Sequence, residues 1–158
     1  MEILKAILLI ALLGLLAAIS YIDTKTRQIP DVLVAGIAAL GIVNMIITAS
    51  TGLAWSSHLL GSLAASLPLL ACALLFKDSL GFGDVKLMAA AGLFLGWQLV
   101  VVALATGILV GGVYALYLLV VKQKGRKQKF AFGPALCLGI ALSAFMGQPL
   151  INWYGSLL

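Results

Sequence analysis

The side chains best suited to chemistry in this 158-residue sequence are its carboxylates, of which there are only five. A carboxylate beside apolar segments is costly to keep ionised, so each one needs a physical reason to be there. Asp31 has a simple one, since it follows Pro30 and precedes an apolar run, where it can cap a helix and complement the helix dipole. Asp78 stands beside Lys77 and has the position of a solvated charge, and Glu2 is close to the chain end.

Asp23 and Asp84 remain, and each lies at the end of an apolar run. Two carboxyl groups that meet within about 3 Å cannot both ionise, so they share one proton over a wide pH range. One can then take a proton from water while the other donates a hydrogen bond to a carbonyl, which is amide hydrolysis without a metal or a covalent intermediate. Position alone also allows a purely structural interpretation, in which Asp23 pairs with Lys25 or Arg27 and Asp84 caps its own helix.

Two glycines precede the second of these aspartates, in the order Gly81-Phe82-Gly83-Asp84. Because glycine has no Cβ, we expect Gly81 and Gly83 to permit unusual backbone torsions and to let a substrate strand approach closely. Taken alone, this four-residue pattern is a weak signal.

The sequence does not indicate a metal or cofactor site. Cys72 and Cys137 lie inside apolar runs, without the Cys-x-x-Cys spacing or the neighbouring His that would complete a zinc set. We therefore expect both to be small packing residues, and we expect no metal or other cofactor. His58, at the opposite side from the two aspartates, is expected to pack or to form a hydrogen bond and to be replaceable.

The elements that must position the two aspartates are apolar helices. Hydrophobic residues make up 63% of the chain and charged residues 9%, whereas soluble domains carry about 25% charged residues. The runs are continuously apolar, which favours helices of about 20 residues over the alternating strands of a barrel. We predict an all-α polytopic membrane protein, a single domain over residues 1–158 with about six transmembrane helices, at 3–22, 32–50, 58–76, 85–97, 98–121 and 130–148. The fourth is short and could be half-length or tilted.

The basic residues predict the orientation of these helices. The first, third and fifth loops hold nine of the ten basic residues, and the opposite side holds only Lys5. By the positive-inside rule the three basic loops, with both aspartates, face the cytoplasm, and both chain ends lie outside the plasma (inner) membrane. The alternative that the first 20 residues are a cleaved secretory signal would need a cytoplasmic chain start, which this charge distribution contradicts.

The formal charge of +5 does not indicate a nucleic-acid partner. The basic residues stand in short gaps between apolar runs and have no aromatic-lined groove or soluble platform around them. The oligomeric state is not determined by any feature of the sequence.

Three separated motifs share one order along the chain. They are Asp23-Thr-Lys-Thr-Arg-Gln-Ile-Pro-Asp31, Gly81-Phe82-Gly83-Asp84-Val-Lys86-Leu and Phe132-Gly133-Pro134-Ala135. Together they resemble the type IV prepilin peptidase family of membrane aspartyl proteases, which also includes the archaeal preflagellin peptidases. The resemblance implies a catalytic pair, Asp23 and Asp84, within a single transmembrane peptidase domain. It also implies motif positions that place the substrate, namely Ile29, Pro30, Gly81, Gly83 and Lys86.

The resemblance also implies a substrate and a setting. That family cleaves a short basic leader from prepilin-like precursors, after a glycine and before an apolar helix, so the implied partners are a prepilin-like protein and the lipid bilayer. The cytoplasmic region of the larger members, with paired Cys-x-x-Cys motifs, has no counterpart in this sequence. The resemblance therefore implies proteolysis without N-methylation.

Two other functions are compatible with some of these residues. One is a small ion or proton transporter that uses Asp23 and Asp84, although an inverted-repeat transporter would show two broken segments and only one glycine-interrupted segment is present. The other is a non-catalytic membrane scaffold packed through its glycines, in which both aspartates would be dispensable.

Overall fold

The residues that the structure describes form six α-helices. The computed structural model describes residues 2–50, 55–75, 81–120 and 132–155. The helices are α1 (Glu2–Thr26), α2 (Asp31–Ser50), α3 (Ser56–Leu75), α4 (Phe82–Leu95), α5 (Trp97–Val120) and α6 (Gly133–Gly155). Each predicted apolar run corresponds to one helix, and the described residues contain no strand, so the all-α prediction is confirmed. The basic segment 122–129 and the residues Lys77 and Asp78 lie outside the described residues.

The composition of the helices confirms a polytopic membrane protein. Among the described residues, four helical segments are long and apolar enough to cross a bilayer, namely Ile3–Thr26, Asp31–Ala49, Ser56–Leu75 and Trp97–Tyr117. Large apolar side chains such as Ile10, Ile46 and Leu109 are exposed on these helices, as expected for surfaces that lipid covers. The segment Gly133–Gly147 of α6 is a shorter apolar helix.

Contacts between helix ends follow the alternation that the charge pattern predicted. The start of α3 lies beside the end of α4, where His58 Nδ1 is 2.8 Å from the Leu93 carbonyl oxygen. At the other end of the bundle, the starts of α2 and α4 are joined by an ion pair between Asp31 and Lys86. Successive helices therefore run in opposite directions at these junctions.

The shortest helix, α4, is also the central one. It packs against α2, α3, α5 and α6, and most of its residues, including Leu87, Met88 and Ala91, are buried. Its 14 residues rise about 21 Å, less than the hydrocarbon core of roughly 30 Å, and a helix that is apolar on all sides is typical of a protein interior. The prediction that the fourth helix is short is thus confirmed.

The break between α4 and α5 falls at Gly96, slightly before the predicted break at Trp97-Gln98. Gly96 has a φ of 80°, in the left-handed region, and its N–H donates to the Gly92 carbonyl at 2.9 Å. Glycine adopts this conformation without strain, so the chain turns here and α5 begins at Trp97.

Glycines also bring α3 and α4 into backbone contact. If a Cβ were added to Gly61, it would lie 2.6 Å from the carbonyl carbon of Gly96 and 2.7 Å from the carbonyl oxygen of Gly92, which is too close for non-bonded atoms. Such small residues let neighbouring membrane helices approach closely. The resulting packing holds α4 firmly at the end opposite to Asp84.

Candidate active site

Asp23 lies in the last turn of α1 and is only 4% exposed. The helix continues four residues beyond its predicted end at residue 22. It closes at Arg27, whose φ of 55° lets its N–H donate to the Asp23 carbonyl at 2.9 Å. The hydroxyl groups of Thr24 and Thr26 donate to two further carbonyls of this last turn. None of these hydrogen bonds at the helix end uses the Asp23 carboxyl group.

Asp84 lies in the first turn of α4 and is 7% exposed. Its N–H donates to the Gly81 carbonyl at 3.0 Å, and its Oδ2 accepts the Gly81 N–H at 3.3 Å. The structural interpretation of Asp84 as a helix cap is therefore correct. Capping does not exclude chemistry, because an ionised carboxylate has about four acceptor sites and the cap uses one of them.

The start of α6 lies directly against Asp23. A Cβ on Gly133 would lie 2.6 Å from Asp23 Oδ2. This oxygen is buried and has no hydrogen-bond partner among the residues that the structure describes. The Lys25 ammonium donates to the Tyr21 hydroxyl and lies 4.4 Å from the centre of the Tyr21 ring. Lys25, one of the two ion-pair partners that the structural interpretation offered for Asp23, therefore contacts Tyr21 instead.

The two carboxyl groups lie close enough to interact electrostatically. Burial, and after it the negative charge of Asp23, raises the pKa of Asp84 from 3.8 to about 6, although the hydrogen bond from Gly81 acts in the opposite direction. Both aspartates also act on the thiol of Cys137, which is buried on α6 one turn after Gly133. The ends of α1, α4 and α6 therefore converge, and two acids from distant stretches of the chain lie near enough there for the charge of Asp23 to act on Asp84.

The predicted motif positions surround this pair. The side chain of Ile29 packs on Gly83, where an added Cβ would lie 3.0 Å from the Ile29 Cβ. Lys86 forms the ion pair with Asp31, and the Pro30 carbonyl accepts the N–H groups that begin α2. Asp31 lies in the first turn of α2, where it complements the helix dipole as expected, and both of its carboxylate oxygens also bind Lys86, which was not predicted.

The torsions expected of the two motif glycines are not found. Gly81 has φ −77° and ψ 142°, an extended conformation open to any residue, and Gly83 lies within α4. Among the described residues, Gly96 is the glycine with a positive φ. Gly83 instead serves close packing with Ile29. The space beside Gly81 is open, since an added Cβ there would meet only Asp84 Oδ2 at 3.5 Å and the Gly83 nitrogen at 3.9 Å.

Gly133 and Cys137 are not among the predicted site residues. Cys137 was interpreted as a packing residue, which its burial supports, but its position beside both carboxylates was not foreseen. The sequence signal for Cys137 was its spacing from Gly133, which belongs to the third motif. Residues four apart on a helix lie on one face, so Cys137 faces the same side as Gly133. In the described parts of the chain, no group of three or more His, Cys, Asp or Glu side chains gathers around a possible metal position.

Comparisons with known proteins support the family resemblance, and the part of the chain that matches the family model contains the first two of the three motifs. Residues 10–116 match the model of the type IV leader peptidase family. The prepilin leader peptidase/N-methyltransferase of Legionella pneumophila is 32% identical over 154 residues, which cover 93% of this chain and 53% of that protein. The protein of the same name from Burkholderia pseudomallei (strain 1026b) is 34% identical over 147 residues, 85% of this chain and 44% of the relative. The Bacillus subtilis (strain 168) relative is 30% identical over 100 residues, 63% and 40% of the two chains.

The chain thus spans about half the length, or less, of these curated relatives. No solved structure matches the chain.

Proposed function

Because this chain belongs to the type IV leader peptidase family, we propose that it is an aspartic endopeptidase in which Asp23 and Asp84 cleave the leader from a prepilin-like precursor. The proposed substrate carries a short basic leader followed by an apolar helix. Membership of a peptidase family does not favour the alternative of ion transport.

The convergence of two buried carboxyl groups is the single observation that carries this proposal. Asp23 and Asp84 are 61 residues apart in the sequence, both are less than a tenth exposed, and the charge of one acts on the other. A buried carboxylate oxygen without a partner, such as Asp23 Oδ2, is unfavourable unless it has a function or binds a ligand. A water molecule between the two carboxyl groups would give Asp23 Oδ2 a hydrogen bond and would also be the nucleophile of the reaction.

The proposed reaction needs one proton on the pair. The ionised carboxylate removes a proton from water as the water oxygen bonds to the carbonyl carbon, while the protonated carboxyl group gives its proton to the carbonyl oxygen. In the second step the C–N bond breaks, the amide nitrogen takes a proton from the first carboxyl group, and the diol returns a proton to the second. The pair ends with one proton, as it began.

The proposed location of the site is the cytoplasmic face of the plasma membrane. The charge pattern supports this orientation, since nine of the ten basic residues fall between or at the ends of the apolar runs on the side of the two aspartates. A basic leader remains on that side while the apolar helix of the precursor lies in the bilayer. In this orientation both chain ends are extracytoplasmic.

Loss of either aspartate tests the proposal. We expect Asp23→Asn and Asp84→Asn each to lower cleavage of a prepilin-like precursor by about 10²- to 10⁴-fold, measured in membranes or detergent micelles. Asp78→Asn is the matched control, because it makes the same chemical change outside the pair, and it should retain most activity. Normal processing by both variants of the pair would refute the proposal.

A further inference from the structure

An ion pair joins the two segments that carry the aspartates. The Lys86 ammonium lies 2.8 Å and 2.9 Å from the two carboxylate oxygens of Asp31. Asp31 is the first residue of α2, shortly after the turn that follows Asp23, and Lys86 lies in α4 two residues after Asp84. One charge-assisted contact therefore links the neighbourhoods of both carboxyl groups.

An apolar contact strengthens the same junction. Ile29 packs on Gly83, the residue before Asp84, so closely that a Cβ added at position 83 would lie 3.0 Å from the Ile29 Cβ and would require Ile29 to shift. Between Ile29 and Asp31 stands Pro30, whose ring fixes its own φ. Residues 29–31 are thus held at both ends by residues that flank Asp84.

The packing of the helices makes this junction one of two links between the acids, the other being α6, which packs against both α1 and α4. The main contacts of α1, which carries Asp23, are with α2 and α6 rather than with α4. The position of Asp23 relative to Asp84 therefore depends on the connection between α1 and α2 and on how that connection docks on α4. Catalytic groups have to be held within about 0.5 Å of the productive geometry.

We propose that Asp31 and Lys86 are positioning residues, which set the separation of the Asp23 and Asp84 carboxyl groups by docking the α1–α2 connection onto α4. This inference rests on the proposed function. It assigns to Asp31 a role in the reaction, although Asp31 is not one of the two reacting acids.

The solvent exposure of the Asp31–Lys86 ion pair distinguishes a positioning role from a role in folding. The Lys86 side chain is 54% exposed and that of Asp31 is 71% exposed. Ion pairs as exposed as this contribute little to folding, so their loss should change the geometry of the site more than the stability of the protein. The Asp31 carboxylate neutralises the Lys86 charge, and this also limits the repulsion that Lys86 would exert on a basic leader.

Charge reversal tests the proposal. Asp31→Lys and Lys86→Asp each place like charges in contact, and we expect each to lower kcat for a prepilin-like peptide by about tenfold or more, with KM changed less than about twofold. The double variant D31K/K86D restores the attraction, and we expect its kcat to return to within about threefold of the wild-type value.

The matched control is the double variant K25D/D31K, which has the same net charge as D31K/K86D. Lys25 contacts Tyr21 rather than Asp31, so this variant leaves Lys86 facing a positive charge at position 31 in place of a carboxylate. We expect it to remain as slow as Asp31→Lys alone.

Two results would overturn the positioning role. One is a D31K/K86D protein that melts at the wild-type temperature and is still as slow as the single variants. The other is a rise in KM with unchanged kcat in Lys86→Asp, which would mean that Lys86 binds the substrate directly. Asp84→Asn in the same assay separates the two hypotheses: cleavage by that variant refutes the proposed function, whereas its inactivity beside an unrescued double variant refutes only the positioning role.

Discussion

The backbone of Gly133, at the start of α6, lies in contact with the carboxyl group of Asp23, at the end of α1. A Cβ at position 133 would lie 2.6 Å from Asp23 Oδ2, 2.9 Å from its Cγ and 3.4 Å from its Cβ. The side chain of Asp23 is buried and cannot move away without displacing its neighbours. The backbone of α6 is therefore one wall of the site, and only glycine leaves room for the acid.

We expect Gly133→Ala to lower kcat for cleavage of a prepilin-like peptide by about 100-fold, because a shift of roughly 1 Å in a catalytic group has an effect of that size. Gly112→Ala is the matched control, since Gly112 is exposed on α5 and an added Cβ there meets no atom within 4 Å. Equal activity of the two variants, with both proteins folded, would contradict the proposed importance of this contact.

Much of the fold follows from local features of the sequence. Continuous apolar runs predict six helices, and the short run after Asp84 predicts that α4 is short, because length and apolar composition are properties of single segments. The alternation of basic loops predicts that α1 ends, and α4 begins, at the same face of the bundle. The meeting of Asp23 and Asp84 follows from these local features together with the motif resemblance.

The parts of the site that were not predicted depend on contacts between distant segments. The approach of Gly133 to Asp23 is set by the packing of α6 on α1, and the pairing of Asp31 with Lys86 by the packing of α2 on α4. A single sequence does not reveal which neighbour a side chain will meet. For this reason Asp31 was expected to act only on its own helix, and its ion pair with Lys86 was not predicted. The torsional role expected of Gly81 and Gly83 was also wrong.

The proton shared by the pair predicts a dependence on pH. Burial and the charge of Asp23 raise the pKa of Asp84 from 3.8 to about 6, so the folded protein keeps this proton to higher pH than the unfolded chain does. If one proton on the pair is required, kcat/KM should fall as the pH rises above about 6, approaching tenfold per pH unit. The same shift makes the folded state less stable as the pH rises from 3.8 to about 6, because the folded state binds more protons there.

Infrared difference spectroscopy can measure this proton directly, with Asp84→Asn as the reference that lacks it. The carboxylic acid band of Asp84 should be present at about pH 5 and largely lost at about pH 7.5, on either side of a pKa of about 6. In Asp23→Asn the midpoint should move to lower pH, because the neighbouring negative charge is gone while the burial remains. A wild-type midpoint near 3.8 would contradict the interaction between the two acids.

At the far end of α4, two side chains complete the hydrogen bonds of the helix. The last carbonyls of a helix have no partner within it, and here Asn44 Nδ2 donates to the Phe94 carbonyl at 2.8 Å and His58 Nδ1 to that of Leu93 at 2.8 Å. The expectation of a hydrogen bond for His58 is confirmed. His58 is also buried, so the expectation that it is replaceable needs a direct test.

We expect His58→Leu to destabilise the protein by about 1–3 kcal/mol, because it leaves the partly buried Leu93 carbonyl without its side-chain donor. Ser66→Ala is the matched control on the same helix: the Ser66 hydroxyl donates to the Ser62 carbonyl within α3, and that carbonyl keeps its backbone partner when the hydroxyl is removed. Thermal unfolding in detergent micelles should therefore show a lower midpoint for His58→Leu and a nearly unchanged one for Ser66→Ala. Equal midpoints for His58→Leu and the wild type would mean that water or lipid headgroups supply the missing donor, and that the end of α4 does not depend on His58.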